Sequence, residues 1–287
     1  MVGITLVVAA AVAAFLVAKH QAQSPGEAVA PPATGLPNTP DYHSLLVDPA
    51  DPERVVLGTH AGLYESTNGG RSWTAAGLQG MDAMNLVRPT DGVIWAAGHN
   101  ALTRSDDGGN TWTDVRPSGL PSLDVHGFAR DPNDANRLFA AVAGEGLYGS
   151  RDGGQSFELV SKEVGPAVFG LAVTPTGRIL AGDTSVGLLA SDDGGKSWRL
   201  VEPMAIFGLA VNPGKPDVIA AAGQGSFFSG ILVSRDGGET WDQAVSIEQG
   251  AGPVAWAPSD ADVGYAVGFD RRLYRTDDGG ASWKPVE

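Results

Sequence analysis

The chain has 287 residues, among them 40 Gly, seven Trp and no Cys. Tight turns between short strands are therefore expected, while disulfide scaffolds, thiolate metal sites and cysteine nucleophiles are excluded. Its 19 basic and 33 acidic residues leave a net charge of −14 with no Lys/Arg cluster, which excludes nucleic acid as a partner and disfavours an anionic lipid surface. At the N-terminus, Val2 to Ala18 is an uninterrupted run of 17 uncharged residues ending at Lys19-His20. That is short for a membrane span and long for a signal-peptide core. Ala28-Val29-Ala30 has the small residues of a cleavage site, but Pro31 follows. Residues 1–18 are read as a hydrophobic signal-anchor helix in preference to a cleaved signal peptide. Residues 19–40, rich in Pro and Ala without an apolar period, read as an extended tether. The remaining residues, 41–287, are expected outside the cytoplasmic membrane, with the helix as their sole membrane contact.

From residue 41 onward one unit recurs. The pattern Ser/Thr-x-Asp-x-Gly-x-x-Trp begins at Ser66, Ser105, Ser150, Ser191, Ser234 and Thr276, in steps of 39, 45, 41, 43 and 42 residues. That is the length of a four-stranded propeller blade. Asn68 replaces the Asp once and Phe157 the Trp once. Gly-Gly permits the positive φ of a tight hairpin, the Asp or Asn side chain accepts backbone N–H groups, and the aromatic residue opens the next strand. Before the boxes run apolar strands ending in Pro: HSLLVDP (43–49), MNLVRP (84–89), HGFARDP (126–132), FGLAVTP (169–175), FGLAVNP (207–213) and PVAWAP (253–258). A second strand follows each, a third leads into the box and a fourth leaves it. The small and β-branched residues of the first two strands suit burial on both faces. The predicted fold is all-β: one six-bladed β-propeller of four-stranded antiparallel blades, preceded by the hydrophobic helix. Trp283 to Glu287 leaves the last blade a short outer strand, to which residues 31–42 are a candidate addition.

The six boxes resemble the Asp-box, or bacterial neuraminidase, repeat, and the similarity spans essentially residues 41–287. Families with this repeat include sialidases and other glycosidases, sortilin-type receptors, photosystem II stability and assembly factors, and secreted propellers labelled glycosyl hydrolases by similarity. The resemblance implies that the boxes form outer hairpins between third and fourth strands. It makes Asp107, Asp152, Asp193, Asp236 and Asp278 structural. No 12-residue ligand loop ending in Glu follows them, so no calcium is assigned. A sialidase site would imply three Arg on a carboxylate, a Tyr nucleophile with a Glu partner and an Asp acid/base. Here Tyr64, Tyr148 and Tyr274 share one third-strand position, Tyr265 lies in a second strand, and Tyr42 has no neighbouring Glu. Arg88 and Arg130 fall at different repeat positions with no third inner-strand Arg. No catalytic or cofactor-binding residue is assigned. Another glycosidase could draw two carboxylates from Asp41, Asp82, Asp124 and Glu145, against the plainer reading of solvated loop charge.

Four of the five His fall into two repeat slots. His43 and His126 open the first strands of blades one and three, and His60 and His99 follow the second strands of blades one and two. Both slots belong to loops on one propeller face, around the mouth of the central channel. Blades four and five carry Phe169 and Phe207 at the first slot instead. Met81 and Met84, with Asp82 between them, lead into blade two. Imidazole with thioether suits copper, and imidazole with carboxylate suits zinc or iron. The candidate metal ligands are His43, His60, Met84, His99 and His126, with copper or zinc as the ion. Some secreted Asp-box propellers have similar elements at these positions, here Thr59-His60, Asp82-Ala83-Met84, Gly98-His99 and His126-Gly127. His43-Ser44 departs from the resemblance, with Ser44 for Gly and Asp41 in place of a further His. The alternative is that these His hydrogen-bond neighbouring backbone and fix ring geometry. The expected function is a binding or assembly module, monomeric, taking a protein or glycan ligand on one face. Glycoside hydrolysis is the other class kept open. Phe227-Phe228 is the exposed aromatic pair the sequence offers.

Overall fold

A computed structural model describes residues 35–164 and 167–287. The anchor helix at 1–18 and most of the tether lie outside the described residues. Among those described, no helix is long and apolar enough to cross a membrane.

Six four-stranded sheets follow in chain order, each built from consecutive antiparallel strands. Blade one is β1 (Ser44–Val47), β2 (Val55–Thr59), β3 (Gly62–Ser66) and β4 (Thr74–Gly77). Blade two is β5 (Asn85–Thr90), β6 (Val93–Gly98), β7 (Ala101–Ser105) and β8 (Thr113–Asp114). Blade three is β9 (Val125–Asp131), β10 (Asp134–Val142), β11 (Gly146–Ser150) and β12 (Glu158–Ser161). Blade four is β13 (Val168–Val173), β14 (Ile179–Asp183), β15 (Gly187–Ser191) and β16 (Arg199–Glu202). Blade five is β17 (Ala205–Val211), β18 (Ile219–Gln224), β19 (Ser229–Ser234) and β20 (Asp242–Ser246). Blade six is β21 (Ala251–Trp256), β22 (Val263–Gly268), β23 (Leu273–Asp277) and β24 (Lys284–Pro285). The first strands neighbour one another in a closed circuit, β1 to β5, β9, β13, β17, β21 and back to β1. They line a central channel of about 600 Å³. Second strands such as Ile179–Asp183 and Val263–Gly268 are buried at every residue. Small and β-branched side chains predominate in them, with single large residues such as Tyr265 filling the space between blades.

The repeated turns share one bonding scheme. In each, the Ser or Thr hydroxyl accepts the N–H of the second Gly at 2.8–2.9 Å. The same hydroxyl donates to the Asp or Asn two residues on, again at 2.8–2.9 Å. That side chain then accepts the N–H of the residue before the aromatic. Asn68 keeps the scheme by reversing one bond: its amide donates to Ser72 where the Asp carboxylates accept a hydroxyl. The second Gly has a positive φ, and in blades one, three, four and five its nearest neighbour is in the preceding blade: Gly70 on Leu273, Gly154 on Trp95, Gly195 on Leu147, Gly238 on Leu180. The turns are therefore spacers between blades as well as hairpin ends.

Hydrogen bonds from Thr111, Ser156, Thr240 and Ser282 hold Asp107, Asp152, Asp236 and Asp278 down to about 2. An unfolded Asp titrates near ~4, so these depressed groups contribute stability that is complete above that pH and lost on acidification. The thermal midpoint is expected to hold from neutrality to about pH 5 and fall steeply between about pH 4 and 2. A calorimetric pH series checks this, and a midpoint indifferent to that window would contradict it.

The ring closes between blades six and one without a shared sheet. Residues 35–42 form no strand, so they do not extend β24. Instead Leu36, 2% exposed, packs in one core with Leu45, Leu57, Tyr265, Leu273 and Val286. The Tyr265 hydroxyl donates to the Pro52 carbonyl at 3.0 Å and accepts from Arg275 Nη1 at 2.8 Å. Arg275 also pairs with Glu53 at 2.5 Å. Arg271 donates to the Thr39 carbonyl and to the Tyr42 hydroxyl.

Candidate metal centre at the channel mouth

The sequence slots become neighbours in space. His43 lies just before β1, His60 and His99 follow β2 and β6, and His126 is the second residue of β9. Their ring centroids form an arc: His43 to His60 4.2 Å, His60 to His99 5.4 Å, His99 to His126 4.9 Å. The arc continues as aromatic rings, His126 to Phe169 at 5.1 Å, Phe169 to Phe207 at 6.3 Å and Phe207 to Phe269 at 5.0 Å. Blades one to three thus present imidazole, and blades four to six present phenyl.

Carboxylates join the imidazoles. Asp41 accepts from the His60 backbone N–H at 3.0 Å and meets His60 Nδ1 at 2.6 Å. Asp82 repeats this arrangement one blade on, with the His99 N–H at 2.8 Å and His99 Nδ1 at 2.7 Å. Asp124 Oδ1 lies 3.0 Å from His126 Nε2. Each pairing fixes a ring's orientation, and an Nδ1–H donated to carboxylate leaves Nε2 as the ligating nitrogen. Two further pairs have wider spacings: His43 Nε2 to Asp41 Oδ1 at 3.4 Å and His60 Nε2 to Asp82 Oδ1 at 3.7 Å. A Cβ at Gly98 would sit 2.7 Å from Asp82 Cγ. Only glycine leaves Asp82 its place beside His99.

Among the described residues, three His/Asp groups have ligand atoms that all lie within 4.8 Å of one another. They are Asp41–His43–His60, His60–Asp82–His99 and His99–Asp124–His126. None contains all four imidazoles, and neighbouring groups overlap at His60 and His99. Asp82 Oδ1, His43 Nε2 and His126 Nδ1 are buried with no hydrogen-bond partner. Burial and the nearby His60 bring His43 down to about 4, and burial lowers His126. Both rings are neutral at pH 7 and keep a lone pair for a ligand. Burial alone would raise Asp41, but hydrogen bonds from the His60 ring and backbone outweigh it and leave it lowered. Neutral imidazoles beside an ionised carboxylate make a donor set that fits a divalent cation.

Met84 is 3% exposed and lines the channel with His43, in the slot that His43 and His126 occupy in the flanking blades. Arg88 and Arg130 also line the channel, and Arg88 donates to the Val47 carbonyl. Glu145 is exposed in the turn between β10 and β11. Phe227 and Phe228 separate: Phe227 is fully exposed, whereas Phe228 packs against the core that holds Met204. Reading the sequence as slots located the imidazoles and put Asp82 and Asp124 in their sector, but assigned none of Asp41, Asp82 and Asp124 as a ligand. Their signal is a repeat position of their own, two residues before the first slot, in Asp41-Tyr42-His43, Asp82-Ala83-Met84 and Asp124-Val125-His126.

Neither a protein-family model nor a curated protein sequence matches the chain. Solved structures do. A GH74 xyloglucanase from Xanthomonas campestris superposes with a TM-score of 0.56 at 19% identity over 85% of this chain. The chain spans about half of that enzyme, 47% of its length. YCF48 bound to a D1 peptide gives 0.56 at 17% identity, covering 92% of this chain and 88% of that one. YCF48 from Cyanidioschyzon merolae gives 0.54 at 16% identity, covering 88% and 87%. At these identities the likeness is one of fold, and the fold common to them is the β-propeller.

Proposed function

We propose that this chain is a non-catalytic binding or assembly propeller that holds a divalent metal at its channel mouth and docks a protein segment there. The observation that carries the reading is the arc of His43, His60, His99 and His126 interleaved with Asp41, Asp82 and Asp124. Zinc or copper(II) suits imidazole with carboxylate, and Met84 in the same wall would add a ligand for copper(I). The partner reading is supported by the phenyl half of the mouth and by Phe227 on the same side. Phe227 lies in the β18–β19 turn, the equivalent of the turns that carry His60 and His99. The fold shared with a YCF48 that is bound to a D1 peptide is consistent with a peptide ligand. We read the six turns as Asp-box repeats on their common Ser–Asp–Gly bonding, and place the propeller outside the cytoplasmic membrane, with the anchor in residues 1–18 and the tether in 19–40.

The test is metal titration and elemental analysis of the full chain in mild detergent, beside a variant with His43, His60, His99 and His126 all changed to Ala. The wild type is expected to retain zinc or copper stoichiometrically through desalting. The variant should lose at least 100-fold in affinity while its circular dichroism stays that of the propeller (outer-shell changes alone cost about 10–100-fold). No retained metal in the wild type would return the histidines to loop architecture. Release of sugar from xyloglucan or a sialoside would replace the binding reading with a hydrolytic one.

A further inference from the structure

We infer that the mouth holds two metal ions at once, one at each end of the arc, with Asp82 between them; this rests on the metal reading above. The two outer groups, Asp41–His43–His60 and His99–Asp124–His126, have no residue in common. Filling one leaves every donor of the other in place. The central group, His60–Asp82–His99, borrows one imidazole from each neighbour, so a single central ion would leave neither outer group complete.

Of the three buried atoms without partners at the mouth, two favour the outer pair. His43 Nε2 belongs to one end and His126 Nδ1 to the other, whereas the third, Asp82 Oδ1, belongs to the central group. Such an atom destabilises the fold unless something satisfies it. An ion at each end would do so, whereas a central ion reaches neither His43 nor His126. At the first end, His43 Nε2 and Asp41 Oδ1 are 3.4 Å apart without hydrogen-bond geometry. Two ligands each ~2.0–2.2 Å from one ion have about that separation. Asp82 then has a distinct task. It meets His99 Nδ1 at 2.7 Å and stands 3.7 Å from His60 Nε2, so it touches the inner imidazole of each end. Its negative charge between two dications offsets their repulsion.

The experiment equilibrates the full chain with excess Zn²⁺, desalts it and counts ions per chain by elemental analysis and native mass spectrometry. His43→Gln and His126→Gln run in parallel. Two ions in the wild type and one in each variant are expected. One ion in the wild type that survives both substitutions overturns the inference in favour of the central group and leaves the metal reading intact. One ion lost in only one variant overturns it as well. No ion in any sample removes the metal reading itself. A measurement independent of the variants uses Cu²⁺ and electron paramagnetic resonance. The second equivalent is expected to broaden the signal of the first through dipolar coupling, and two equivalents that give the spectrum of one isolated ion would overturn the inference.

Discussion

Gly195→Ala is expected to destabilise the propeller by about 2–4 kcal/mol, while Gly194→Ala, one residue earlier in the same turn, costs about 1–2 kcal/mol. Both residues have positive φ, +79° and +93°, so both substitutions carry the left-handed backbone penalty. They differ in what the new methyl meets. At 194 the nearest atom is the far end of Arg137 at 3.4 Å, which can swing away. At 195 it is Leu147 Cδ2 at 2.5 Å, in the buried core of the preceding blade. The Gly195 N–H would still reach the Ser191 hydroxyl, so the difference isolates packing between blades. Urea denaturation of both variants measures it. Equal losses would mean the turn is only a hairpin end and does not set blade spacing.

Tyr265→Ala should cost about 3–5 kcal/mol, and Tyr265→Phe about 1–1.5 kcal/mol. The ring is fully buried in the core that joins blades six and one, and its hydroxyl links Pro52 of blade one to Arg275 of blade six. Alanine leaves a cavity there and removes one acceptor from Arg275, while phenylalanine loses only the two hydrogen bonds. Denaturation gives the magnitudes, and limited proteolysis gives the place. Early cleavage in the first or last blade marks the seam as the opening point. Uniform cleavage of all six blades would show that the seam is no weaker than the other five junctions.

The repeat was legible because its bonding is local. Ser, Asp and two Gly within five residues satisfy one another, so six boxes announce six hairpins, and the strand order follows from their spacing. The imidazoles were legible because two slots recur across blades, and a slot in a propeller is a position in space. The pairing of each carboxylate with an imidazole was not. Asp41, Asp82 and Asp124 are three among 33 acidic residues. Their link to His60 and His99 runs between a blade's first residues and a turn 17–19 residues later. The seam was illegible for a related reason: Glu53, Tyr265 and Arg275 come from opposite ends of the propeller sequence and obey no repeat. Phe227 and Phe228 show the limit of pattern at a turn, where successive residues took opposite directions.

A ring of six similar blades has no inherent compass. A ligand centred on its axis would find six nearly equal orientations and could rotate among them. The mouth abolishes that degeneracy, since imidazole and carboxylate occupy one semicircle while Phe169, Phe207 and Phe269 occupy the other. Whatever docks there has one favoured heading, with its polar side towards blades one to three, and sits off the axis. The scaffold's symmetry makes the fold inexpensive to specify, and its breaking at ten side chains is what would let the surface point.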